Sequence, residues 1–372
     1  MKKINICHMT SVHCWNDTRI FCKEASSLAK QYTVKLFAPA NFEYKRMNNV
    51  EIIGLPVWKY RKDRRVTRKN LFRKIIKCEA EVFHFHDPEL IFIGLFLKIF
   101  RRKKVIYDIH EDVKKQILNK EDISSNIKKR VLSFCYSLLE FIVIHSFDKI
   151  IVAGEDILEK VTNKVIINNY PIIHNFSSIT NNRSNTVIFI GGVTKIRGVI
   201  ETAKAIQTLN SENNKSIIFR IIGKFENEQF KKDFLTEFND FVKFDEWMSQ
   251  DELYYETSKA IMGVVLYLPL PNHYSLRSNK VFEYMDCAIP VIYSNFDDWK
   301  DKLDEYDIGL AVNPTDVNEI SRAIQQIIDY PERAKEMGKN GKKTIKHHFN
   351  WDQEEKKLID LYKEMIDENS IY

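Results

Sequence analysis

Short apolar segments rich in Val, Ile and Phe alternate with longer amphipathic segments along almost all of the chain. Parallel strands need long, usually helical crossovers, so this alternation predicts α/β architecture with parallel sheets covered by helices on both faces. A first series of strands is predicted at Lys3–Met9, Thr33–Ala38, Val50–Leu55, Val82–His86, Lys104–Asp108, Ile150–Ala153 and Lys164–Ile167. A second series is predicted at Thr186–Gly191, Ser216–Ile222, Val242–Phe244, Gly263–Tyr267, Pro290–Ser294 and Gly309–Val312.

The two series predict two Rossmann-like domains, a number that the length of 372 residues also favours. We place the N-terminal domain at residues 1–170 and the C-terminal domain at residues 186–348. The connecting residues 171–185 are rich in Asn, Ser and Thr and are predicted to be a linker. Residues 349–372 contain a long amphipathic helix, which we expect to pack back toward the N-terminal domain.

The composition is typical of a globular protein in a reducing compartment. The six cysteines show no C-x-x-C motif and no paired spacing, which favours free thiols. The first residues, MKKINICHMT, lack the apolar core and cleavage site of a signal peptide. No apolar run reaches the roughly 18 residues of a membrane span. We therefore expect a cytoplasmic protein.

Basic residues are concentrated in the first half of the chain. Residues 1–180 contain 32 Lys and Arg against 19 Asp and Glu, whereas residues 181–372 contain 25 against 32. The segment Lys59–Lys74 carries nine basic residues and one acid, and Arg101–Lys104 directly follows the apolar segment Leu90–Phe100. Basic charge beside apolar faces suits an anionic membrane surface, at about 1 kcal/mol per basic residue. We therefore predict a peripheral location on the inner face of the cytoplasmic membrane.

Two other interpretations of this basic half stay open. The basic segment could be a solvated loop, and the apolar segments Leu90–Phe100 and Val131–Ile144 could be ordinary core helices. Nucleic acid is a further class of anionic partner. The chain has no recognised nucleic-acid motif and no basic-aromatic repeat, so we expect no nucleic-acid binding.

The segment Ser278–Met285 predicts a ligand site in the second half. Lys280 and Glu283 are three residues apart, so on a helix they share one face near its N-terminus. That end carries partial positive charge and free N–H groups, and Lys280 adds a full charge, which together favour an anion. Glu283 can accept hydrogen bonds from sugar hydroxyls. The pattern is typical of a nucleotide-sugar site; the alternative is an ordinary ion pair on a helix surface.

Polar residues also follow the predicted strands, where ligands bind in parallel sheets. We expect these residues to point toward a cleft between the domains. In the first half of the chain they are His13, Asp17, Arg19, His86, Asp87, His110 and Glu111, and in the second half they are Gly191, Gly192, Lys195 and Arg197. Asp17 could instead cap the first helix while Arg19 pairs with an acid. A metal site is a further alternative for the histidines. Their spacing resembles no known zinc pattern, so we expect neither a metal nor a cofactor.

Several of these segments, in this order, resemble GT-B fold glycosyltransferases of family 4, the retaining bacterial enzymes of surface-polysaccharide assembly. The resemblance covers nearly the whole chain. It is carried by Asn16–Ile20, His86–Leu90, Tyr107–Asp112, Ile167–Pro171, Ile190–Gly198, Asn279–Ile292 and Phe349–Trp351. It implies two Rossmann-like domains that face each other across a cleft, with a C-terminal helix crossing back.

The resemblance also implies roles for individual residues. Arg197 matches a basic residue that grips the donor diphosphate, and Lys280 matches a position that faces the phosphates. Glu283 matches the second Glu of the family's Glu-x7-Glu motif and would bind the ribose. His110 matches a histidine that helps to position the transferred sugar. Donor-binding residues are thus expected to be Gly191, Gly192, Lys195, Arg197, Ser278, Asn279, Lys280, Val281 and Glu283.

Two positions depart from the family pattern. Gly192 stands where many members carry a phosphate-binding Arg, for which Lys195 is the candidate substitute. Ser275 stands where many members carry the first Glu, which contacts the donor hexose.

The activity implied is retaining, metal-independent transfer of a hexose or N-acetylhexosamine from a nucleotide sugar, with uridine diphosphate the expected carrier. The acceptor would be a lipid-linked saccharide in O-antigen, capsule or exopolysaccharide assembly, where other assembly enzymes could be partners. The alternatives are a GT-B fold nucleotide-sugar epimerase and a non-catalytic nucleotide-sugar-binding partner of another transferase.

Overall fold

The computed structural model describes residues 4–110, 126–155, 157–158, 161, 164–173, 183–212, 215–275 and 278–367. The chain forms two compact units, one made of Met1–Asn169 with Trp351–Tyr372 and the other of Tyr170–Asn350. Each unit is a parallel sheet with helices, so the predicted α/β fold class is confirmed. Most of the predicted linker at residues 171–185 lies outside the described residues, as does Glu111.

The first unit is built on an eight-stranded sheet. Its strands are β1 (Asn5–Met9), β2 (Thr33–Pro39), β3 (Tyr44–Met47), β4 (Val50–Leu55), β5 (Val82–Phe85), β6 (Lys104–Ile109), β7 (Lys149–Val152) and β8 (Lys164–Ile166). They lie in the order β3-β4-β2-β1-β5-β6-β7-β8, and every pair is parallel except the antiparallel pair β3–β4. Strand β3 was not predicted, because its four residues are all exposed and carry no apolar alternation.

The helices of the first unit begin with an eight-residue π-helix, Thr18–Ala25, which starts directly after Asp17, the residue predicted as a possible cap of the first helix. The α-helices described are α1 (Ser26–Leu28), α2 (Arg64–Ile75), α3 (Ile91–Arg101) and α4 (Asn126–Ser146). Most of the basic segment Lys59–Lys74 is therefore helical. Its helix α2 packs on α3 through the rings of Phe72 and Phe96, whose centroids are 5.2 Å apart.

The C-terminal helix, Trp351–Asp367, belongs to the first unit, to which it was predicted to return. Trp351 is buried, and its indole N–H donates to Ser27 Oγ at 2.9 Å. Glu354 is also buried and accepts a hydrogen bond from the backbone N–H of Asn168 at 2.9 Å. The last helix is thus held to the first unit by apolar burial and by specific polar contacts.

The second unit is built on a six-stranded, fully parallel sheet. Its strands are β9 (Ser184–Ile190), β10 (Ile218–Ile222), β11 (Val242–Asp245), β12 (Ala260–Val265), β13 (Val291–Ser294) and β14 (Gly309–Val312), in the order β11-β10-β9-β12-β13-β14. The α-helices described are α5 (Val199–Glu212), α6 (Glu228–Glu237), α7 (Gln250–Lys259), α8 (Asn279–Asp286), α9 (Asp297–Leu303), α10 (Val317–Asp329) and α11 (Pro331–His347).

Strand order identifies where each unit can bind a ligand. Counted from its own first strand, the second sheet has the Rossmann order 3-2-1-4-5-6, and the order reverses between β9 and β12. The central strands of the first sheet, β4-β2-β1-β5-β6-β7, have the same order and reverse between β1 and β5. A crevice opens beyond the carboxyl ends of the strands at such a point. The residues that follow β1, β5, β9 and β12 are therefore the candidate site residues.

Candidate functional site

Two cationic side chains converge on the backbone that follows β9. Gly191 has φ +121, a conformation that glycine adopts without strain. A Cβ atom at this position would lie 3.4 Å from Arg197 Nη1 and 3.6 Å from Lys280 Cε. Arg197 and Lys280 thus approach the same point at the carboxyl edge of the second sheet, although they come from different crossovers.

Arg197 is held in place by local contacts. It ends a 3₁₀ turn, Lys195–Arg197, that is followed by Gly198 in the left-handed conformation. Its Nη1 donates to the carbonyl of Gly192 at 3.3 Å, and its guanidinium lies over the ring of Tyr267 at 5.5 Å. A Cβ on Gly192 would lie 3.3 Å from Nη1, so a larger side chain there would crowd Arg197. The glycine that departs from the family pattern therefore leaves room for this guanidinium.

A pocket lies at the order reversal between β9 and β12. It is lined by Phe189, Ile190, Arg197, Val264, Val265, Leu266, Tyr267, Ser278 and Lys280. The floor is the apolar ends of the two strands, and the polar groups come from the loops and from the start of α8. Two positive charges beside an apolar floor suit a ligand that carries both phosphate and an uncharged ring.

Lys280 and Glu283 lie on the first turns of α8, on one face as their spacing predicts. Lys280 Nζ is 2.7 Å from Glu283 Oε2, and both side chains are partly exposed. The ion pair of the alternative interpretation is therefore present. Ser278 is the N-cap residue and is buried, Asn279 begins the helix, and Val281 packs in the core beneath it. Lys280 lines the pocket and also forms this ion pair.

Lys195 is placed differently. Its side chain is exposed, and its ammonium lies over the ring of Phe230 at 5.6 Å. The structure thus brings Gly191, Gly192, Arg197 and Lys280 together and sets the Lys195 ammonium against another helix. Its expected role as a substitute for the family arginine stays a prediction.

In the first unit, Asp87 holds the loop that follows β1. The Asp87 carboxylate is buried and accepts hydrogen bonds from Thr10 Oγ1 at 2.9 Å and from the backbone N–H groups of Ser11 and Val12 at 2.5 and 3.2 Å. His13, further along this loop, has Nε2 3.6 Å from Asp87 Oδ1. The hydrogen bonds to Asp87 therefore fix the conformation of this loop. The Asp87 side chain is buried, whereas the His13 side chain is partly exposed to solvent.

Asp17 and Arg19 make the contacts of the structural alternative. Asp17 caps the π-helix, because its Oδ1 accepts from the N–H groups of Arg19 and Ile20 at 2.9 and 3.0 Å. Burial opposes ionisation of this carboxyl, but hydrogen bonds from His13 and the backbone lower its pKa well below the usual range. Arg19 is buried and forms a bidentate ion pair with Asp108, with N–O distances of 2.9 and 3.0 Å.

Asp108, at the end of β6, is the central anion of the first unit. Its Oδ2 is 2.9 Å from His110 Nε2 and 3.3 Å from His86 Nδ1. Burial disfavours its charge, but Arg19 and His110 hold the pKa of this carboxyl well below its usual range. Burial lowers the pKa of His86 to about 4, so this ring is neutral at physiological pH. The sequence places Asp108 at a strand end beside His110, but it predicts no role for this residue, because the pairing with Arg19 depends on the tertiary fold.

The predicted residues of the first unit thus divide into two groups. Arg19, His86 and Asp87 are buried and act as supports. His13, Asp17 and His110 are partly exposed, and the rings of His13 and His110 have centroids 5.5 Å apart. Of the predicted residues described in the first unit, these three are therefore the ones that reach solvent, and the His110 ring is held by its contact with Asp108.

Comparison with known proteins gives the family context of the second unit. Residues 173–344 match the family described as Glycosyl transferases group 1. No curated protein matches the sequence.

Solved structures share the fold along nearly the whole chain. Sucrose-phosphate synthase from Thermosynechococcus elongatus is similar with a TM-score of 0.75 at 16% identity, and the match covers 98% of this chain and 100% of that one. Anabaena HepE in complex with UDP-glucose gives a TM-score of 0.70 at 11% identity, with 97% and 100% covered. A glycosyltransferase from Rickettsia africae gives 0.67 at 12% identity, with 98% and 99% covered. The chain therefore has the GT-B fold, and the family match to Glycosyl transferases group 1 lies within its second unit.

Proposed function

We propose that this GT-B chain, whose second unit contains the match to Glycosyl transferases group 1, is a retaining glycosyltransferase that uses a uridine diphosphate sugar. It would transfer a hexose or N-acetylhexosamine to a lipid-linked saccharide in O-antigen, capsule or exopolysaccharide assembly. The observation that carries the proposal is the convergence of Arg197 and Lys280 on Gly191 at the order reversal of the second sheet. The UDP-glucose complex of Anabaena HepE, which shares the fold, supports this choice of donor.

The chemistry follows from the charge that develops during transfer. Cleavage of the anomeric C–O bond leaves an oxocarbenium-like sugar and releases a nucleoside diphosphate. Arg197, Lys280 and the N-terminus of α8 would stabilise the departing diphosphate without a metal. Retention follows if the acceptor attacks from the same face as the leaving phosphate, which takes the acceptor proton. Glu283 would exchange its contact with Lys280 for the ribose hydroxyls.

His110 would position the transferred sugar. When the His110 ring donates its Nε2–H to Asp108, 2.9 Å away, its Nδ1 can form the hydrogen bond with a sugar hydroxyl. Arg19 would act only through Asp108, because it is buried and its guanidinium is engaged by that carboxylate.

The test is turnover with a panel of nucleotide sugars and a membrane-lipid extract, followed by stereochemical analysis of the product. Lys280→Ala should lower turnover about 100-fold or more, because one charge on a developing anion contributes several kcal/mol. Lys339→Ala, an exposed lysine of the same unit, is the matched control and should behave as wild type. Near-normal turnover of Lys280→Ala would contradict the proposal.

The same panel separates the two alternatives. An epimerase would convert the donor when the acceptor is omitted, whereas a transferase requires the acceptor. A non-catalytic partner would bind the donor and show no turnover with any lipid acceptor.

The proposed acceptor places the protein at a membrane surface, and an apolar patch on the first unit supports this location. Helices α3 and α4 are neighbours. Their exposed apolar side chains include Phe92, Ile99, Phe100, Phe134, Leu138 and Phe141. Exposed basic residues on and before α2, which packs on α3, are Arg61, Lys62, Arg65, Lys69 and Arg73. Exposed apolar side chains on two neighbouring helices, with basic residues on the adjacent helix, suit an anionic bilayer surface. Among the described residues, none of the helices is long and apolar enough to span a bilayer.

Vesicle flotation tests the membrane proposal. Binding should require anionic lipid and weaken with salt, because the attraction is screened over about 10 Å at 0.1 M ionic strength. The double variant Phe100→Ser and Phe134→Ser should float poorly, whereas Trp247→Ser, which removes an exposed aromatic ring from the second unit, should float as wild type. Equal binding to neutral vesicles would remove the membrane proposal and leave the catalytic one untouched.

A further inference from the structure

A separate polar cluster lies deep inside the first unit. It consists of His8, Glu24 and His84 with His86, and all four side chains are buried. One ring nitrogen or carboxylate oxygen from each residue lies within 4.8 Å of those of the others. Imidazole nitrogens and carboxylate oxygens gathered this closely are the ligand types of transition-metal sites.

The fold assembles the cluster from three elements. His8 on β1 and His84 on β5 are direct partners in the parallel ladder, so their side chains lie on the same face of the sheet. Glu24 comes from the π-helix, in which the N–H of Cys22 bonds to the carbonyl of Asp17, five residues earlier. This winding places Glu24 beside Arg19, with Oε1 and Nε 2.9 Å apart. Short π-helical segments frequently occur at functional sites.

The atoms that face one another in the cluster lack hydrogen-bond partners. Within the part of the chain that the structure describes, this holds for His8 Nε2, His84 Nε2 and both carboxylate oxygens of Glu24. Glu24 Oε1 is near Arg19, but the Nε–H of Arg19 is directed at Asp108. Glu24 Oε2 is 3.9 Å from His84 Nε2, which is too long for a hydrogen bond. Fully buried polar atoms without partners are rare in native proteins and call for an explanation.

The outer contacts of the two histidines allow the tautomer that a metal requires. His84 Nδ1 is 2.9 Å from Tyr362 Oη, and when the ring donates its Nδ1–H to this hydroxyl a lone pair is left on Nε2. His8 Nδ1 is 3.1 Å from His86 Nε2, and a proton donated there likewise leaves His8 Nε2 free. His86 can then donate its Nδ1–H to Asp108 at 3.3 Å. Such carboxylate–histidine contacts orient metal-bound imidazoles.

Charge also favours a cation. The Arg19 guanidinium lies between two buried carboxyl groups, with Nε 2.9 Å from Glu24 Oε1 and 2.9 Å from Asp108 Oδ2. Two buried carboxyl groups that share one guanidinium favour a further positive charge beside Glu24.

We propose that His8 Nε2, His84 Nε2 and the Glu24 carboxylate bind one divalent transition-metal ion, with Zn²⁺ the ion that this donor set fits best. Ligand distances of about 2.0–2.2 Å would bring Glu24 Oε2 and His84 Nε2 about half an ångström closer than they are here. The ion would tie β1 and β5 to the π-helix and so fix the loop that carries His13. With both Glu24 oxygens bound the ion would have four ligands, as structural zinc sites do, and its role would be separate from the proposed sugar transfer.

Metal content and thermal stability test the proposal on the full chain. Protein purified from zinc-supplemented cells should contain about one Zn²⁺ per chain by elemental analysis. After removal with a strong chelator, Zn²⁺ at 100 times its Kd should raise the Tm of the first unit by about 5–10 °C. Co²⁺ in its place should give visible absorption bands of a low-symmetry site. Wild-type protein that takes up no Zn²⁺ and keeps the same Tm would overturn the proposal.

Variants locate the ion. His84→Gln and Glu24→Gln should lose the bound Zn²⁺ and the rise in Tm, whereas His347→Gln, at an exposed histidine of the second unit, should keep both. Circular dichroism of each variant in chelator establishes that it is folded. Folded His84→Gln protein that still binds one Zn²⁺ with wild-type affinity would place the ion elsewhere and contradict the assignment.

Discussion

Removal of the Arg19 charge should destabilise the first unit strongly. Arg19→Met keeps much of the side-chain volume but leaves Asp108 buried without its bidentate partner. Both side chains of the pair are at most 4% exposed, so values for buried pairs apply and those for surface pairs do not. Breaking a buried pair costs about 3–5 kcal/mol, because the remaining charge is left uncompensated. For a unit of this size we expect Tm to fall by roughly 6–20 °C.

The matched control is a surface ion pair of the same unit. Lys30 Nζ is 2.6 Å from Glu355 Oε1, but the lysine side chain is 63% exposed. Lys30→Met should therefore cost at most about 1 kcal/mol. Thermal and urea unfolding followed by circular dichroism measure both variants.

A double-mutant cycle isolates the pair itself. Arg19→Met, Asp108→Asn and the double variant should give a coupling free energy of about 2 kcal/mol or more, against less than 1 for Lys30 and Glu355. If Arg19→Met is as stable as Lys30→Met and turnover alone is lost, Arg19 acts on the substrate and the structural interpretation is wrong.

Three further outcomes can be measured on the same protein. His110→Ala should lower turnover with little change in Tm, because the ring is partly exposed and is the outermost member of the Arg19–Asp108–His110 contacts. Wild-type activity of this variant would refute the proposed role of His110. Asp17→Ala should lose about 1 kcal/mol of stability as a cap variant. The folded state lowers the pKa of Asp17, so the ionised carboxylate contributes its full stabilisation at neutral pH and less as the pH falls below about 4. The difference in unfolding free energy between wild type and Asp17→Ala should therefore be largest at neutral pH and smaller in acid, and urea unfolding at several pH values measures it. Gly191→Ala should cost roughly 1–3 kcal/mol through its φ of +121. Its methyl group would occupy the point on which Arg197 and Lys280 converge and should weaken UDP binding in calorimetry; unchanged affinity would show that UDP does not contact this point.

The local sequence pattern was sufficient to predict most strands of the two sheets. Val50–Leu55 and Gly309–Val312 were predicted with the bounds that the structure has, because β-branched runs beside turn residues specify buried strands. The exposed strand Tyr44–Met47 was not predicted. It exists because its backbone pairs with β4, an interaction that no side-chain pattern records.

The first helix shows a second limit of local pattern. Its start after Asp17 could be predicted from the capping residue, but its π-helical winding could not. That winding is tied to the burial of Arg19 and Glu24 against β5 and β6, which are distant in sequence.

For the candidate site residues too, local sequence pattern predicted some features and the tertiary structure determined the others. Spacing alone placed Lys280 and Glu283 on one helical face and put His110 after a strand. Their surroundings were decided by strand order, which brings β9 beside β12 and β1 beside β5 and so gathers residues from separate crossovers. Strand order also buried Arg19, His86 and Asp87 as supports, left His110 accessible, and placed His8, Glu24 and His84 around one point. A side chain's charge, tautomer and role depend on its solvent exposure and on its partners, and both are properties of the packed tertiary structure.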